Sequence, residues 1–299
     1  MEYNNKVKII TLFDLLEAGC FDVGSSLRVI EEALRKQGTK DLLFPDKVSV
    51  VFDESTQNRI NCLPAGIRSQ DVYGMKWVSV FPVNPHKYNI PNLSAVIVLS
   101  SLKNGFPKAF MEGSLCSNLR TAAVGSVAAK YLSKENSETI GFIGAGEQAK
   151  SHLLGMLVVR PSIKKCFVSS RTIDSCEKFI NQMKRFHPEI EYVSCGNDYR
   201  KSIVDADIIV TAISGQDTIL KAEWIKSGAF YCHVAGLEDE DAVALKASKI
   251  VCDDWSVVKH RTQTISRMFK AGVLKDADIY ANLNEIIEGN KPGRENDNE

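Results

Sequence analysis

Chemistry in this chain is concentrated first between Thr139 and His152, where it reads TIGFIGAGEQAKSH. A short apolar run, 140–143, leads into Gly144-Ala145-Gly146-Glu147-Gln148-Ala149, and Leu153, Leu154, Met156 and Leu157 follow at helical spacing. Strand, glycine turn and helix in that order make the phosphate-binding corner of a dinucleotide fold. Gly144 would permit the tight turn, Gly146 would let the backbone approach a pyrophosphate, and Ala149 would let the helix pack closely on the strand. The helix start offers N–H groups and a partial positive charge to phosphates. Gly144, Ala145, Gly146, Glu147 and Gln148 are therefore read as cofactor-binding. The pattern alone also fits a glycine turn in an unrelated α/β domain, and the flanking strand and helix favour the dinucleotide.

The residue ending the second strand of such a fold selects the adenosine cofactor, an acidic side chain favouring the ribose 2′-OH of NAD. Here the strand 166–169 runs into Ser170-Arg171-Thr172, without a carboxylate. Arg171 carries a planar, permanent charge suited to a 2′-phosphate; the competing reading is a surface arginine beside the next helix. The expectation leans to NADP(H), with NAD(H) as the alternative. Ala212 and Ser214 complete the expected cofactor set, because the crevice of an open parallel sheet lies at the C-terminal ends of its strands.

Two cations stand out earlier. Lys76 interrupts an apolar strand, 75–80, and either snorkels to solvent or points into a site. Arg120 stands at the expected start of an Ala-rich helix, 118–132, where a positive side chain opposes the helix dipole. A bound anion would explain it, as would a salt bridge to a neighbouring carboxylate.

The elements that must position these groups fall into two patterns. Strands are expected at 140–143, 166–169, 192–194, 208–212, 229–233 and 250–252, with helices at 148–158 and 174–185 between them, which implies a parallel, doubly wound sheet of Rossmann type. Before about residue 115, a helix at 25–36 precedes strands at 47–52, 59–63, 75–80 and 95–100, an α+β pattern with an antiparallel or mixed sheet. The expected fold class is α/β: a Rossmann-type domain, 118–288, plus a smaller α+β substrate and dimerisation domain, 1–117. The polar segment 289–299 is expected to be a flexible tail that could belong with the first domain.

Bulk properties exclude several classes. The 299 residues contain 37 Lys plus Arg and 37 Asp plus Glu, so no overall field would recruit nucleic acid or an anionic membrane. No apolar run approaches the ~20 residues of a membrane span, and the N-terminus lacks a signal peptide's apolar core. The 8 cysteines, at 20, 62, 116, 166, 176, 195, 232 and 252, form no CxxC pair. They read as free thiols in a reducing, cytoplasmic protein without a metal site.

The order of motifs is similar to that of the ornithine cyclodeaminase/μ-crystallin family over about residues 47–294. It rests on Gly74-Met75-Lys76-Trp77, Leu119-Arg120-Thr121-Ala122-Ala123 and the GAGEQAKSH turn together. The resemblance implies a Rossmann domain with a second domain that forms a homodimer through its sheet, and NAD(H) or NADP(H) as cofactor. It assigns the carboxylate of a small amino-acid substrate to Lys76 and Arg120, with Lys47 in place of a family arginine. Lys76 is also expected to take part in catalysis. The family's acidic residue falls on Glu238 in His233-Val234-Ala235-Gly236-Leu237-Glu238-Asp239, where it would handle the substrate amine. The flavour of Phe81-Pro82-Val83-Asn84-Pro85, Met111-Glu112-Gly113-Ser114 and Lys291-Pro292-Gly293-Arg294 is that of family dehydrogenases forming 2,3-diaminopropionate. An arginine common in that subgroup is missing from Pro91-Asn92-Leu93-Ser94-Ala95, which suits a different or less anionic substrate. Family chains usually add a strand and helix beyond the Gly-Arg pair, whereas this sequence ends at Glu299.

The function so implied is NAD(P)-dependent oxidation or reduction of an amino-acid C–N bond. A cyclodeaminase that returns its hydride, or a non-catalytic nucleotide-binding protein of μ-crystallin type, are the alternatives.

Overall fold

The computed structural model describes residues 6–215 and 217–299. They form two compact units, one of residues 6–22 and Lys36–Arg120, the other of Val23–Arg35 and Thr121–Glu299.

The first unit is built on a seven-stranded mixed sheet. Its strands are β1 (Lys8–Ile10), β2 (Leu42–Leu43), β3 (Val48–Asp53), β4 (Asn58–Ile67), β5 (Val72–Val80), β6 (Leu93–Ser100) and β7 (Pro107–Glu112). They lie in the order β1-β7-β6-β5-β4-β2, with β3 also on β4. β1 runs parallel to β7 and every other pairing is antiparallel. Short helices α1 (Leu12–Glu17) and α3 (Asn84–Lys87) connect strands. The register sets Asn61, Val78 and Ala95 side by side, all buried, so this face is the inner one. The next row outward on the same face is Leu63, Lys76 and Ile97. Side chains alternate between faces along each strand, so Trp77, Val48 and their row lie on the opposite face.

The second unit contains the five-stranded parallel sheet. Its strands are β8 (Thr139–Ile143), β9 (Lys165–Ser169), β10 (Glu191–Gly196), β11 (Ile208–Thr211) and β12 (Phe230–His233), in the order β10-β9-β8-β11-β12. Alternation explains why these strands read as continuous apolar runs. Ile140, Phe142, Ile208 and Val210 enter one core, and Ile143 and Ile209 enter the other. Both faces are covered, as a parallel sheet requires. Leu153 and Met156 of α5 (Glu147–Val159), with Phe179 of α6 (Ile173–Met183), fill the first core.

Several expectations change. Strand 250–252 forms, as Val251–Cys252, but pairs with Ala281–Asn282 in a separate two-stranded sheet. Helix α2 (Val23–Arg35), expected in the first domain, belongs to the second unit, because Leu27, Ile30 and Leu34 pack with Leu283 and Ile287. Its Glu31 accepts from Lys130 Nζ and from Tyr131 Oη at 2.6 Å. The helix expected at 118–132 is α4 (Ser114–Leu132), and the unit boundary falls within it at Arg120. Arg120 is therefore in its second turn, and the argument from the helix dipole at its first residues does not apply. The segment 289–299 belongs to the second unit and is pinned rather than loose. Arg294 donates to Leu132 O at 2.8 Å and Gly228 O at 3.0 Å, and Lys249 Nζ donates to Glu295 and Glu299.

Among the described residues no helix is long and apolar enough to cross a membrane, and no group of three or more His, Cys, Asp or Glu is arranged to hold a metal. All eight cysteines are free thiols.

The carbonyls at the end of α4 have no partner inside the helix; Arg294 takes those of Tyr131 and Leu132, and Arg160 reaches those of Ala129 and Lys130. Only 6% exposed, it donates to Lys134, Val159, Ala129, Lys130 and Ser133 carbonyls at 2.7–2.9 Å. Arg160→Ala would remove these bonds, leaving the Ala129 carbonyl to Ser133 and depriving the others of a donor. We expect a loss of about 3 kcal/mol, seen as a lower urea midpoint for loss of helical circular dichroism, with Arg160→Lys in between.

Candidate functional site

The glycine corner has the form its sequence requires. Gly144 leaves β8 with φ of 110°, and its N–H donates to Ser169 O at 2.9 Å. A Cβ there would lie 2.4 Å from Ala212 O, so the turn and the end of β11 touch. At Gly146, the N-cap of α5, a Cβ would meet nothing within 4 Å, and no side chain caps the helix. The exposed backbone at Gly146 and the uncapped first turn of α5 can take a pyrophosphate. Ala145 and Gln148 are half-buried, and Glu147 is exposed and paired with Lys150. Ala149 is wholly buried in the core beneath the helix. These residues fit a dinucleotide.

Order β10-β9-β8-β11-β12 reverses direction between β8 and β11, which is where an open sheet binds its ligand. Ala212 and Ser214 follow β11 at this point, Ser214 exposed. Half-buried Ser170 and exposed Arg171 and Thr172 follow β9. Thr172 caps α6 by accepting from Ser175 N. Arg171 is exposed just past the end of β9, in a turn, 170–172, without a carboxylate.

The cation site is in the first unit. Lys76 lies on the inner face of β5, and its Nζ donates to Ser117 Oγ of α4 at 2.9 Å. Burial pushes its pKa down, the charge of Arg120 pushes it further, and Cys116 opposes them weakly, leaving it at about 7. The structure thus brings Lys76 and Arg120 together. Lys47 immediately precedes Val48, which pairs with Cys62; continuing that register sets Lys47 opposite Leu63, the neighbour of Lys76. It is exposed, two strands from Lys76 and on the same face. Ser117 escaped the sequence reading; its signal was the three-residue spacing to Arg120, which shares a helix face once α4 is known to start at Ser114.

Glu238 proves wholly buried in the second unit. Its carboxylate accepts from Thr211 Oγ1 at 2.9 Å, Ala235 N at 3.1 Å and Gly236 N. His233 Nε2 faces Glu238 Oε2 at 3.2 Å, in ion-pair proximity but out of line for a hydrogen bond. Burial raises the Glu238 pKa, but His233 and the loop N–H groups outweigh it and hold the carboxyl below its usual range. Burial likewise lowers the imidazole, and Glu238 with Asp239 reverses this, so His233 is raised. Asp239 is raised, chiefly by burial, and accepts from Thr264 Oγ1 at 2.6 Å. His233 was not weighed as a site residue, although it stands three positions before the glycine of the same loop.

A parallel sheet with this corner, and with titratable groups gathered at the ends of its strands, defines a dinucleotide-binding protein of Rossmann type. The profile of the ornithine cyclodeaminase/mu-crystallin family matches residues 16–299, and the chain belongs to that family. It is 28% identical over 300 residues to N-((2S)-2-amino-2-carboxyethyl)-L-glutamate dehydrogenase of Staphylococcus aureus, covering 99% of this chain and 89% of that protein. The structure of Thermococcus litoralis Delta(1)-pyrroline-2-carboxylate reductase with NADH and L-proline superposes with a TM-score of 0.90 at 28% identity, covering 98% of this chain and 90% of that one. An archaeal alanine dehydrogenase dimer with bound NAD gives 0.85, also at 28% identity, covering 98% and 88%.

The two glycines of the corner should separate fold from binding. Gly144→Ala forces a side chain against Ala212 O at positive φ and should cost about 3 kcal/mol of stability. Gly146→Ala should leave thermal unfolding unchanged and weaken dinucleotide binding about tenfold or more, read by fluorescence titration with reduced nicotinamide.

Proposed function

We propose that this chain is an NAD(P)-dependent oxidoreductase acting on the C–N bond of an α-amino acid or its imine. The observation that carries the reading is the pairing of Lys76 with Arg120. Burial and the charge of Arg120 both disfavour the Lys76 ammonium, and an anion bound beside it offsets both. A substrate α-carboxylate is that anion, with Lys47 adding charge on the same sheet face. Ser117 accepts from Lys76 and fixes the direction of its ammonium. The bound nicotinamide supplies or accepts the hydride, and the protein supplies orientation, charge and proton transfer. In the second unit the carboxylate of Glu238, with His233, forms the proton-handling group.

NADP(H) is taken in preference to NAD(H), because exposed Arg171 follows β9 where a carboxylate would otherwise select the 2′-OH. The protein works as a homodimer in the cytoplasm. Ile9, Phe110, Trp77, Val48 and Val50 are exposed on one face of the first unit's sheet by its register. Such a face is too apolar to remain in water. Free thiols at all eight cysteines suit a reducing compartment.

The test offers the purified chain NAD or NADP with ornithine, alanine and N-(2-amino-2-carboxyethyl)glutamate, and the reduced cofactors with Δ1-pyrroline-2-carboxylate. Net change in reduced-nicotinamide absorbance with a matching product by mass spectrometry supports the reading. Proline and ammonia from ornithine without net reduction would reassign the chain as a cyclodeaminase, and bound cofactor without turnover would make it a binding protein. Arg171→Ala should remove the preference for NADP and leave NAD kinetics unchanged.

Two further outcomes follow from the geometry. Lys76 carries charge below about 7, so the KM for an amino-acid substrate should rise as pH increases through and beyond that value. In Lys76→Gln this dependence should vanish and KM should be at least about tenfold higher. Trp77→Asp should convert a dimer to a monomer by light scattering, with nucleotide affinity retained.

A further inference from the structure

We propose that His233 is the side chain that exchanges a proton with the substrate nitrogen, and that Glu238 acts through it as a positioning residue. The inference rests on the oxidoreductase reading above and names the proton donor of that same site.

Glu238 is the obvious acid by sequence, but its surroundings commit it elsewhere. It has no exposed surface. One oxygen accepts from Thr211 and Ala235, and the other accepts from Gly236 and faces His233. A carboxylate held in this way ties down its own loop and cannot reach a ligand without unpacking it. Asp239, 2% exposed, is bonded to Thr264. Of these three groups His233 retains accessible surface, with its side chain 16% exposed.

The ring is also aimed. Nε2 is buried against Glu238, and Nδ1 is 3.6 Å from Asp239 Oδ1, longer than a hydrogen bond. Nδ1 lies within ion-pair range of Asp239, and the Gly236 backbone also bonds to the ring. Unlike Nε2, Nδ1 is not enclosed, and it is the nitrogen an incoming partner can approach. The imidazole stacks on Tyr231 with centroids 5.9 Å apart and planes 17° apart, and the Tyr231 hydroxyl bonds to Thr211. Thr211 and His233 are directly paired across β11 and β12 at their C-terminal ends. That is the edge of the sheet where a parallel α/β fold presents its ligands. Carboxylate, imidazole and substrate in series form the arrangement by which a buried acid orients a histidine and stabilises its cation.

The groups acting on the ring are Glu238, Asp239 and the Gly236 backbone from the loop and Tyr231 from its own strand, while β11 presents uncharged Thr211. Burial keeps the Tyr231 phenol neutral. The two carboxylates hold the imidazole protonated to higher pH than an ordinary histidine. In imine reduction the Nδ1–H bond breaks as its proton passes to the imine nitrogen, while the adjacent carbon is reduced by the nicotinamide cofactor. The neutral ring then takes a proton from solvent. In amine oxidation the neutral ring removes the proton from nitrogen instead.

The experiment combines kcat/KM for reduction of Δ1-pyrroline-2-carboxylate across pH with an NMR titration of the His233 imidazole in the cofactor-free chain. Wild type should lose activity as pH rises through the NMR midpoint, because the charged ring is the donor. Glu238→Gln should move both curves to lower pH together and reduce the rate at pH 8 about tenfold. His233→Gln should lower kcat about 100-fold or more and abolish the pH limb, with fluorescence binding of reduced nicotinamide preserved. If His233→Gln does not fold, the joint shift in Glu238→Gln still decides. His233→Gln with wild-type kcat and pH limb would overturn the inference alone. So would a Glu238→Gln variant that is inactive at every pH while the histidine titrates as in wild type. A wild-type chain that acts on no imino or amino acid would overturn the oxidoreductase reading, and this inference with it.

Discussion

The glycine corner depends on a steric constraint: β8 and the turn after it approach surrounding backbone more closely than a side chain allows. At Gly141 a Cβ would fall 2.0 Å from Ser202 O, and at Gly144 it would fall 2.4 Å from Ala212 O. The first lets the segment before β11 pack onto β8, and the second brings the turn after β8 onto the end of β11, at the point where strand order reverses. The same approach fixes Thr211 at the end of β11. Thr211 then holds Glu238 and Tyr231, and through them the orientation of His233. The glycine corner and the loop that buries Glu238 thus share one scaffold, set in part by two residues with no side chain.

In the first unit the governing effect is electrostatic. Lys76 sits on the face of the sheet that buries Val78 and Ala95, where water stabilises its charge poorly. Close to Arg120, the ammonium is near the point of losing its proton at neutral pH. Ser117 accepts one of its N–H bonds but brings no charge to offset it. The proposed substrate carboxylate would relieve both costs at once.

Legibility in the sequence followed the range of the interactions. The glycine corner and the parallel strands could be read because the turn demands glycine and double-sided burial demands apolar runs. Strand β7 was hidden by Pro107 at its start, and β1 and β2 are too short to show a period. The start of α4 was missed because Ser114 and Ser117 look like loop residues. In the structure Ser114 Oγ accepts from Ala95 N and Ser117 meets Lys76, both contacts with strands remote in sequence. The polar tail was misjudged for the same reason, since Arg294 is bound by carbonyls at 132 and 228. For Glu238 the residue type was legible by resemblance, but its burial is created by Thr211 and the loop it closes.

Helix α2 is made early, at Val23–Arg35, and finds its partners Leu283 and Ile287 near the other end of the chain. During synthesis part of its apolar stripe can be covered by Ala123, Val127 and Val159, but the share that faces Leu283 and Ile287 must wait for almost the whole sequence to leave the ribosome. Closing so long a loop makes the last assembly step of the second unit slow and non-local. A nascent chain stalled before residue 283 would carry that stripe uncovered by those partners, and this is the interval in which holding chaperones or aggregation compete with folding.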